Sequence, residues 1–304
     1  MRLGTAVTYA GDPRAAADEV AGWERSGLDV VWVSEAYGFD APTAMGYLAA
    51  RTERVEIGSS ILPLFSRTPA LLAQTAAGLD ALSRGRAILG LGASGPQVIE
   101  GWHGVPYDRP VARTRETIEI CRAAWRREVL VHDGLYPLPL PADQGSGLGK
   151  PLKMLTRPVR DRIPIHVAAL GDRNVRMTAE VADGWHPFLF LPEKASEVWG
   201  DALAAGTARR SAGLGPLDVV AGGALAIGDD VTGLRDLARP LVALYVGGMG
   251  ARGGNFYHDL VARYGYQAEA DKIQELYLAG RKAEAAAAVP ADLLERTSLI
   301  GPDP

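Results

Sequence analysis

The chain has one cysteine, Cys121, among its 304 residues. An internal disulfide is therefore excluded, and so is a cysteine-based metal cage. The five histidines, His103, His132, His166, His186 and His258, are scattered, and no pair has the HxxxH spacing of a metal-binding helix face. No metal is expected. Charge of one sign is also scarce: 32 basic against 36 acidic side chains leave a net charge of -4. That balance speaks against a strongly electrostatic nucleic-acid binder. No stretch approaches the roughly 20 apolar residues that cross a bilayer. The amino terminus lacks an apolar run followed by a small-residue cleavage site. A soluble, cytoplasmic protein without a membrane or nucleic-acid partner is expected. Neither a GxSxG elbow nor a Walker loop occurs.

What is present is an alternation. Apolar runs at Leu3 to Tyr9, Val30 to Val33, Val55 to Leu62 and Ala87 to Leu91 begin about 30 residues apart, the length of a strand-helix unit. Val30 to Val33 is apolar throughout, as in a parallel strand covered on both faces. Amphipathic stretches lie between the runs. Asp12-Pro13 and Thr68-Pro69 each pair a capping side chain with a proline suited to the first helical turn. Helices are predicted from there to Gly27 and Gly85, with others over Pro42 to Thr52 and Pro110 to Arg127. Residues 129–160 break the pattern with five prolines and read as an insertion or lid. Strands resume at Ile163 to Ala169, Trp185 to Leu191 and Val219 to Ile227, between helices over Asp172 to Ala182 and Glu193 to Arg210. Everything from Val231 onward reads as helix, broken at Gly247-Gly248 and Gly253-Gly254. The alternation argues for α/β with a parallel sheet of seven core strands in one domain, 1–304.

Four strand ends carry chemistry-bearing residues. Glu35 ends the second strand, where a barrel places catalytic groups; the plainer reading is a cap or an ion pair with a nearby cation. Gly58-Ser59-Ser60-Ile61 permits close approach or unusual backbone. Gly90-Leu91-Gly92-Ala93-Ser94-Gly95 spells GxGxxG, but it follows three strand-helix units, and Pro96 and Gly101 argue against a helix opening there directly. A Rossmann site is therefore not predicted. Those glycines are expected to let backbone N–H groups face a phosphate or a ring. At Ala168 to Arg176 a strand ends, Gly171 turns the chain and a helix begins near Arg173, an anion-attracting arrangement. Tyr37, Phe39, Phe65 and Trp102 are candidates for an aromatic substrate pocket or for core.

Taken in order, several of these motifs resemble the luciferase-like monooxygenase family. They are the segment from Arg67-Thr68-Pro69 to Ser83-Arg84-Gly85-Arg86, then Leu89 to Pro96, Glu100 to Gly104, Ala168 to Val175 and Ala179 to Trp185. The resemblance is greatest to the branch that uses the deazaflavin coenzyme F420 and includes methylenetetrahydromethanopterin reductase. It implies a TIM-like (β/α)8 barrel of the bacterial-luciferase type with the cofactor ring at the strand ends. It further implies a non-proline cis peptide at Ser60–Ile61 behind the ring, and Ser94, Gly95 and Pro96 beside it. Gly171, Arg173 and Asn174 would hold the phosphate end, and Glu35 and Glu100 would be the carboxylates near the reacting centre. The implied activity is hydride transfer between coenzyme F420 and a small organic substrate, by a homodimer. Two alternatives stay open: an FMN-dependent monooxygenase using oxygen, and a non-catalytic cofactor-binding or subunit-partner protein. Ala36 stands where deazaflavin sugar-phosphate dehydrogenases carry a histidine, which argues against that activity. Relatives continue beyond Ser298 to Pro302 into a further helix and strand, so a barrel lacking its last strand-helix unit is expected.

Overall fold

A computed structural model describes residues 1–7, 11–229 and 231–302. They form two compact units: Met1–Ala168, Val181–Trp185 and Ser211–Asp218 make the first, and the remainder makes the second.

The first unit is built on parallel strands. β1 (Gly4–Val7), β2 (Val30–Val33), β3 (Glu56–Ser59), β4 (Leu62–Pro63), β5 (Ala87–Gly92) and β6 (Ile165–Ala168) are followed by β7 (Gly184–His186) and β8 (Asp218–Val219). The order is β1-β2-β3-β5-β6-β7-β8, with β4 also on β5, and the pairs from β1 through β6 are parallel. No β1–β8 pairing closes this sheet among the described residues. The predicted first strand ends at Val7, and Thr8 to Ala10 lie outside the described residues.

Helices α1 (Pro13–Arg25), α2 (Ala41–Arg51), α3 (Pro69–Leu82), α4 (Pro96–Gly101) and α5 (Pro110–Trp125) connect the strands. The predicted caps hold: Asp12 accepts from Arg14 N at 2.8 Å and Thr68 from Leu71 N at 3.2 Å. Helix α4 corrects the expectation at Pro96. It opens directly after Gly95, with the proline in its first turn, where a missing N–H costs nothing.

Inside the sheet, large rings alternate with glycines. Trp32 on β2 faces Gly4 and Gly58 on the flanking strands; a Cβ on Gly58 would lie 2.2 Å from its ring. His166 on β6 is opposite Gly90 on β5, and a Cβ on Gly184 would lie 2.4 Å from its ring. The two rings, both buried, sit 5.3 Å apart. At one end of the strands Arg2 pairs with Glu56 and Asp218, and Asp183 receives Arg122 at 3.0 Å and Arg162 at 2.5 Å. Glu24 on α1 accepts from the backbone N–H groups of Glu53, Arg54 and Val55, fixing the approach to β3.

The predicted third strand is two strands. The cis peptide Ser60–Ile61 separates β3 from β4. Ser59 Oγ bridges the gap, donating to Gly90 O at 2.8 Å and accepting from Gly90 N at 2.9 Å. A Cβ on Gly90 would fall 1.7 Å from Ser59 O, and one on Gly92 would fall 2.7 Å from Ile61 Cγ1. Strand packing requires both glycines, and at Gly90 the N–H expected to face a ligand is taken by Ser59 Oγ.

The second unit holds α6 (Asp172–Val181), α7 (Pro192–Thr207) and a carboxyl-terminal set, α8 (Arg239–Ala243), α9 (Phe256–Arg263), α10 (Gln267–Leu278), α11 (Lys282–Ala287) and α12 (Ala291–Arg296). The predicted strand over Trp185 to Leu191 is short; Pro187, which lacks an N–H, ends it after His186. The predicted strand over Val219 to Ile227 breaks at Gly222-Gly223. It resumes as β9 (Leu225–Ile227), which pairs in parallel with β10 (Leu299–Gly301). A Cβ on Gly223 would lie 1.8 Å from Thr297 O, so that glycine admits the crossing chain. The carboxyl-terminal region is therefore not wholly helical. No described helix is long and apolar enough to cross a membrane.

Two outcomes follow. Gly90→Ala should cost about 3 kcal/mol or more, because a backbone carbonyl cannot rotate away. Gly78→Ala, on the exposed face of α3 with open space around it, should stabilise by about 0.5–1 kcal/mol. Urea unfolding of both variants reads the contrast. Burial holds the His166 imidazole down to about 4 from 6.5, against the opposing pull of Asp218. The unfolded chain thus takes up its proton first as pH falls. Stability should decline between about pH 6.5 and 4 by as much as about 3 kcal/mol. His166→Asn, unfolded in urea across that range, should lack this decline.

Candidate active site

The loops after β2, β3, β4 and β5 each carry a residue singled out from the sequence. Glu35 leaves β2 and turns inward, its side chain 5% exposed. Both carboxylate oxygens meet Arg67, at 2.5 and 2.9 Å, and Oε2 also accepts from Ala41 N at 2.7 Å. Glu35 therefore ties the loop after β2 to the loop after β4 and to the start of α2. This is the cap and ion pair of the plainer reading, and no oxygen is left uncommitted.

Ser94 has φ 58, a left-handed conformation uncommon for a residue with a side chain. Tyr107 Oη donates to its carbonyl at 3.3 Å, and Gly95 and Pro96 then lead into α4. The chain thus turns sharply beside Ile61, which rests on Gly92. Glu100 on α4 is exposed; Oε1 accepts from Tyr107 N at 3.2 Å, and Oε2 has no partner among the described residues.

The aromatic candidates part company. Tyr37 and Trp102, 57% and 64% exposed, face each other with ring centroids 6.4 Å apart. Phe39 is exposed too. Phe65 is buried with Leu64 and Ile99, and its ring lies 5.0 Å from Tyr107. Its other side faces a cavity of about 270 Å³ that sequence reasoning missed. Arg67, Arg113 and Tyr136 line the same cavity.

Tyr136 comes from the 129–160 segment, which is fastened rather than loose. Glu116 Oε2 accepts from Leu135 N at 2.7 Å, from Tyr136 N at 3.2 Å, and lies 3.0 Å from His132 Nε2. The far end is held where Arg160 meets the fully buried Asp80 at 2.5 Å and Ala87 O at 2.7 Å.

Gly171, Arg173 and Asn174 belong to the second unit, at the start of α6. Gly171 is exposed, and a Cβ there would meet nothing within 4 Å, so no protein contact requires the glycine. Arg173 is exposed. Asn174 Oδ1 is buried without a hydrogen-bond partner among the described residues. Such an atom is costly unless something supplies a donor. No group of histidine, cysteine and acidic side chains able to hold a metal occurs among the described residues.

Residues 1–304 match the sequence profile of the luciferase-like monooxygenases. The chain belongs to that family. A Mycobacterium tuberculosis protein named "putative coenzyme F420-dependent oxidoreductase" is 41% identical over 308 residues, which cover 99% of this chain and 88% of that one. The 5,10-methylenetetrahydromethanopterin reductase of Archaeoglobus fulgidus is 29% identical over 233 residues, 74% of this chain and 64% of its own length. The solved coenzyme F420-dependent tetrahydromethanopterin reductase of Methanopyrus kandleri superposes with a TM-score of 0.75 at 22% identity, covering 99% of this chain and 86% of that one. At that identity the likeness shows the fold, a TIM-like barrel of the luciferase type.

Removing Arg67 should expose how much this end of the sheet depends on its ion pair. Arg67→Met leaves the Glu35 carboxylate buried and should cost about 3–5 kcal/mol. The double variant Glu35→Leu, Arg67→Met should recover part of that loss. Thermal unfolding of the cycle gives the coupling directly.

Proposed function

We propose that this luciferase-like protein is a coenzyme F420-dependent oxidoreductase that passes a hydride between the deazaflavin and a small organic substrate. The observation that carries the reading is the end-to-end match, at 41% identity, to the mycobacterial protein named for that coenzyme. We infer one functional domain, cytosolic and homodimeric, with residues 129–160 as its lid. Family membership is what supports that inference.

The residues present fit the coenzyme. Ile61, Gly92 and the left-handed turn at Ser94 make a shelf with no protruding side chain at Gly92. Gly95 and Pro96 continue its rim. In the second unit, taken by itself, the buried Asn174 Oδ1 is an acceptor that a hydroxyl of the coenzyme's side chain would satisfy, and the open space over Gly171 beside Arg173 suits a phosphate at the free N–H groups of α6. The deazaflavin, when bound, supplies the two-electron carrier that no side chain can supply.

The protein's tasks are then to position, to exclude water and to manage one proton. Of the two carboxylates, Glu100 is assigned to the proton. Its Oε2 is uncommitted, whereas both oxygens of Glu35 are engaged by Arg67 and Ala41 N. Glu35 becomes the positioning residue that fixes the loop bearing Tyr37. Tyr37 and Trp102 offer exposed ring faces to an incoming substrate.

Fluorescence titration of the full chain with coenzyme F420 and with FMN at matched ionic strength tests the reading. Coenzyme F420 should bind at least about tenfold tighter, and Asn174→Ala should weaken it. Tighter FMN binding would transfer the protein to the oxygen-using monooxygenases. Binding of neither would end the enzyme assignment.

A further inference from the structure

The cavity beside Phe65 is built as a recognition site. Arg113, on α5, sets its guanidinium over two rings, 5.7 Å from the centroid of Phe65 and 5.1 Å from that of Tyr136. Asp108 grips one edge, accepting from Nε at 3.0 Å and from Nη2 at 2.7 Å. Tyr136 also hydrogen-bonds the side chain. These partners do not exhaust five N–H donors. On the same wall Arg67 gives Nη1 and Nη2 to Glu35, while its Nε donates to no described residue. The cavity is thus rich in fixed donors, and its lone carboxylate, Asp108, is already taken.

Charge decides what those donors are for. Glu35 neutralises Arg67. Asp108 is divided between Arg113 in the cavity wall and the exposed Arg109 outside it, whose hydrogen bonds hold its carboxyl below the usual range, so it stays ionised and only part of it serves Arg113. The N–H donors of Arg113 that Asp108 leaves over suit one carboxylate. Size decides the rest. About 270 Å³ is at the small end of ligand pockets, too little for a deazaflavin with its side chain. Ser66 and Thr68 add hydroxyl-bearing side chains to the lining, and Phe65, Tyr136 and Val105 supply ring and aliphatic surface.

We propose that this cavity binds the carboxylate of a small organic acid, with Arg113 as the specificity-determining cation and the acid's apolar body against Phe65 and Tyr136. The proposal rests on the oxidoreductase reading only in calling that acid a substrate; the binding itself is independent of it. Arg113 suits the task because its plane is preset by two rings and one ion pair, so little freedom is lost when a carboxylate docks. The wall bearing Tyr136 stands where it does because Glu116 holds the Leu135 and Tyr136 N–H groups.

The test is a calorimetric titration of the full chain, without cofactor, with sodium benzoate and with its neutral methyl ester. Benzoate should bind, and the ester should bind at least about tenfold more weakly. Arg113→Gln, in which Asp108 keeps Arg109, should weaken benzoate by about ten- to a hundredfold. Val105→Phe, which adds bulk to the cavity lining, should abolish binding with every arginine in place. Coenzyme F420 should bind equally well with benzoate saturating. No benzoate binding, equal binding of the ester, or indifference to both substitutions would overturn the proposal. So would competition between benzoate and coenzyme F420, which would give the cation to the cofactor. Because benzoate is titrated into the bare chain, failure of the coenzyme to bind leaves this result untouched.

Discussion

The carbonyl oxygen of Ser59 occupies the place where a side chain on Gly90 would stand. Everything at the working end of the first unit follows from that approach. Strand β3 comes so close to β5 that the ordinary ladder gives way, and the Ser59 hydroxyl satisfies both the N–H and the carbonyl of Gly90 instead. Both backbone groups of Gly90 thereby keep a partner. The chain then steps aside through Ser60 and Ile61 and re-pairs with β5 as β4, placing Ile61 on Gly92. The floor of the site is therefore a by-product of one serine and two glycines that strand packing demands.

The two ends of these strands use charge differently. At the end where the strands begin, Arg2, Arg122 and Arg162 meet Glu56, Asp183 and Asp218, and the pairs tie together strand starts and α5. At the other end the pairs involve loops: Glu35 with Arg67 joins two of them, and Asp108 with Arg113 ties a loop to α5. A loop pair fixes geometry where no ladder can. Between the two ends lie the Trp32 and His166 rings, whose fit against glycines keeps the interior dry and the imidazole neutral.

Much of this was legible in the sequence, because the signals were local. The cap-plus-proline pairs at Asp12 and Thr68 mark helix starts through short-range hydrogen bonds. The all-apolar Val30 to Val33 announces a strand covered on both faces. Strand breaks were less legible. Nothing in Val55 to Leu62 reveals that its middle leaves the ladder, and Gly90 looks alike whether it serves a phosphate or a neighbouring carbonyl. Glu35 was ambiguous for the same reason: its partner, Arg67, lies 32 residues away, and only folding brings them together. The role of Arg113 had no sequence signal. A cation on an amphipathic helix is ordinarily solvated, and its two ring partners come from separate loops. Strand β10 was missed because a three-residue strand has too few residues to display a period.

The 129–160 segment is fastened at its ends, to Glu116 near the start and through Arg160 to Asp80 at the finish. Between those anchors the chain crosses the surface with several exposed apolar side chains, such as Leu148 and Leu155, and carries none of the strand pairing of the main sheet. Thermodynamically this is a detachable module: lengthening or rewriting its middle alters a loop-closure entropy that grows only slowly with length. Sequence change can therefore accumulate there while the strands and the interior rings stay under a separate and stricter constraint. The segment that looks least structured in the sequence is the one whose middle is freest to be rewritten.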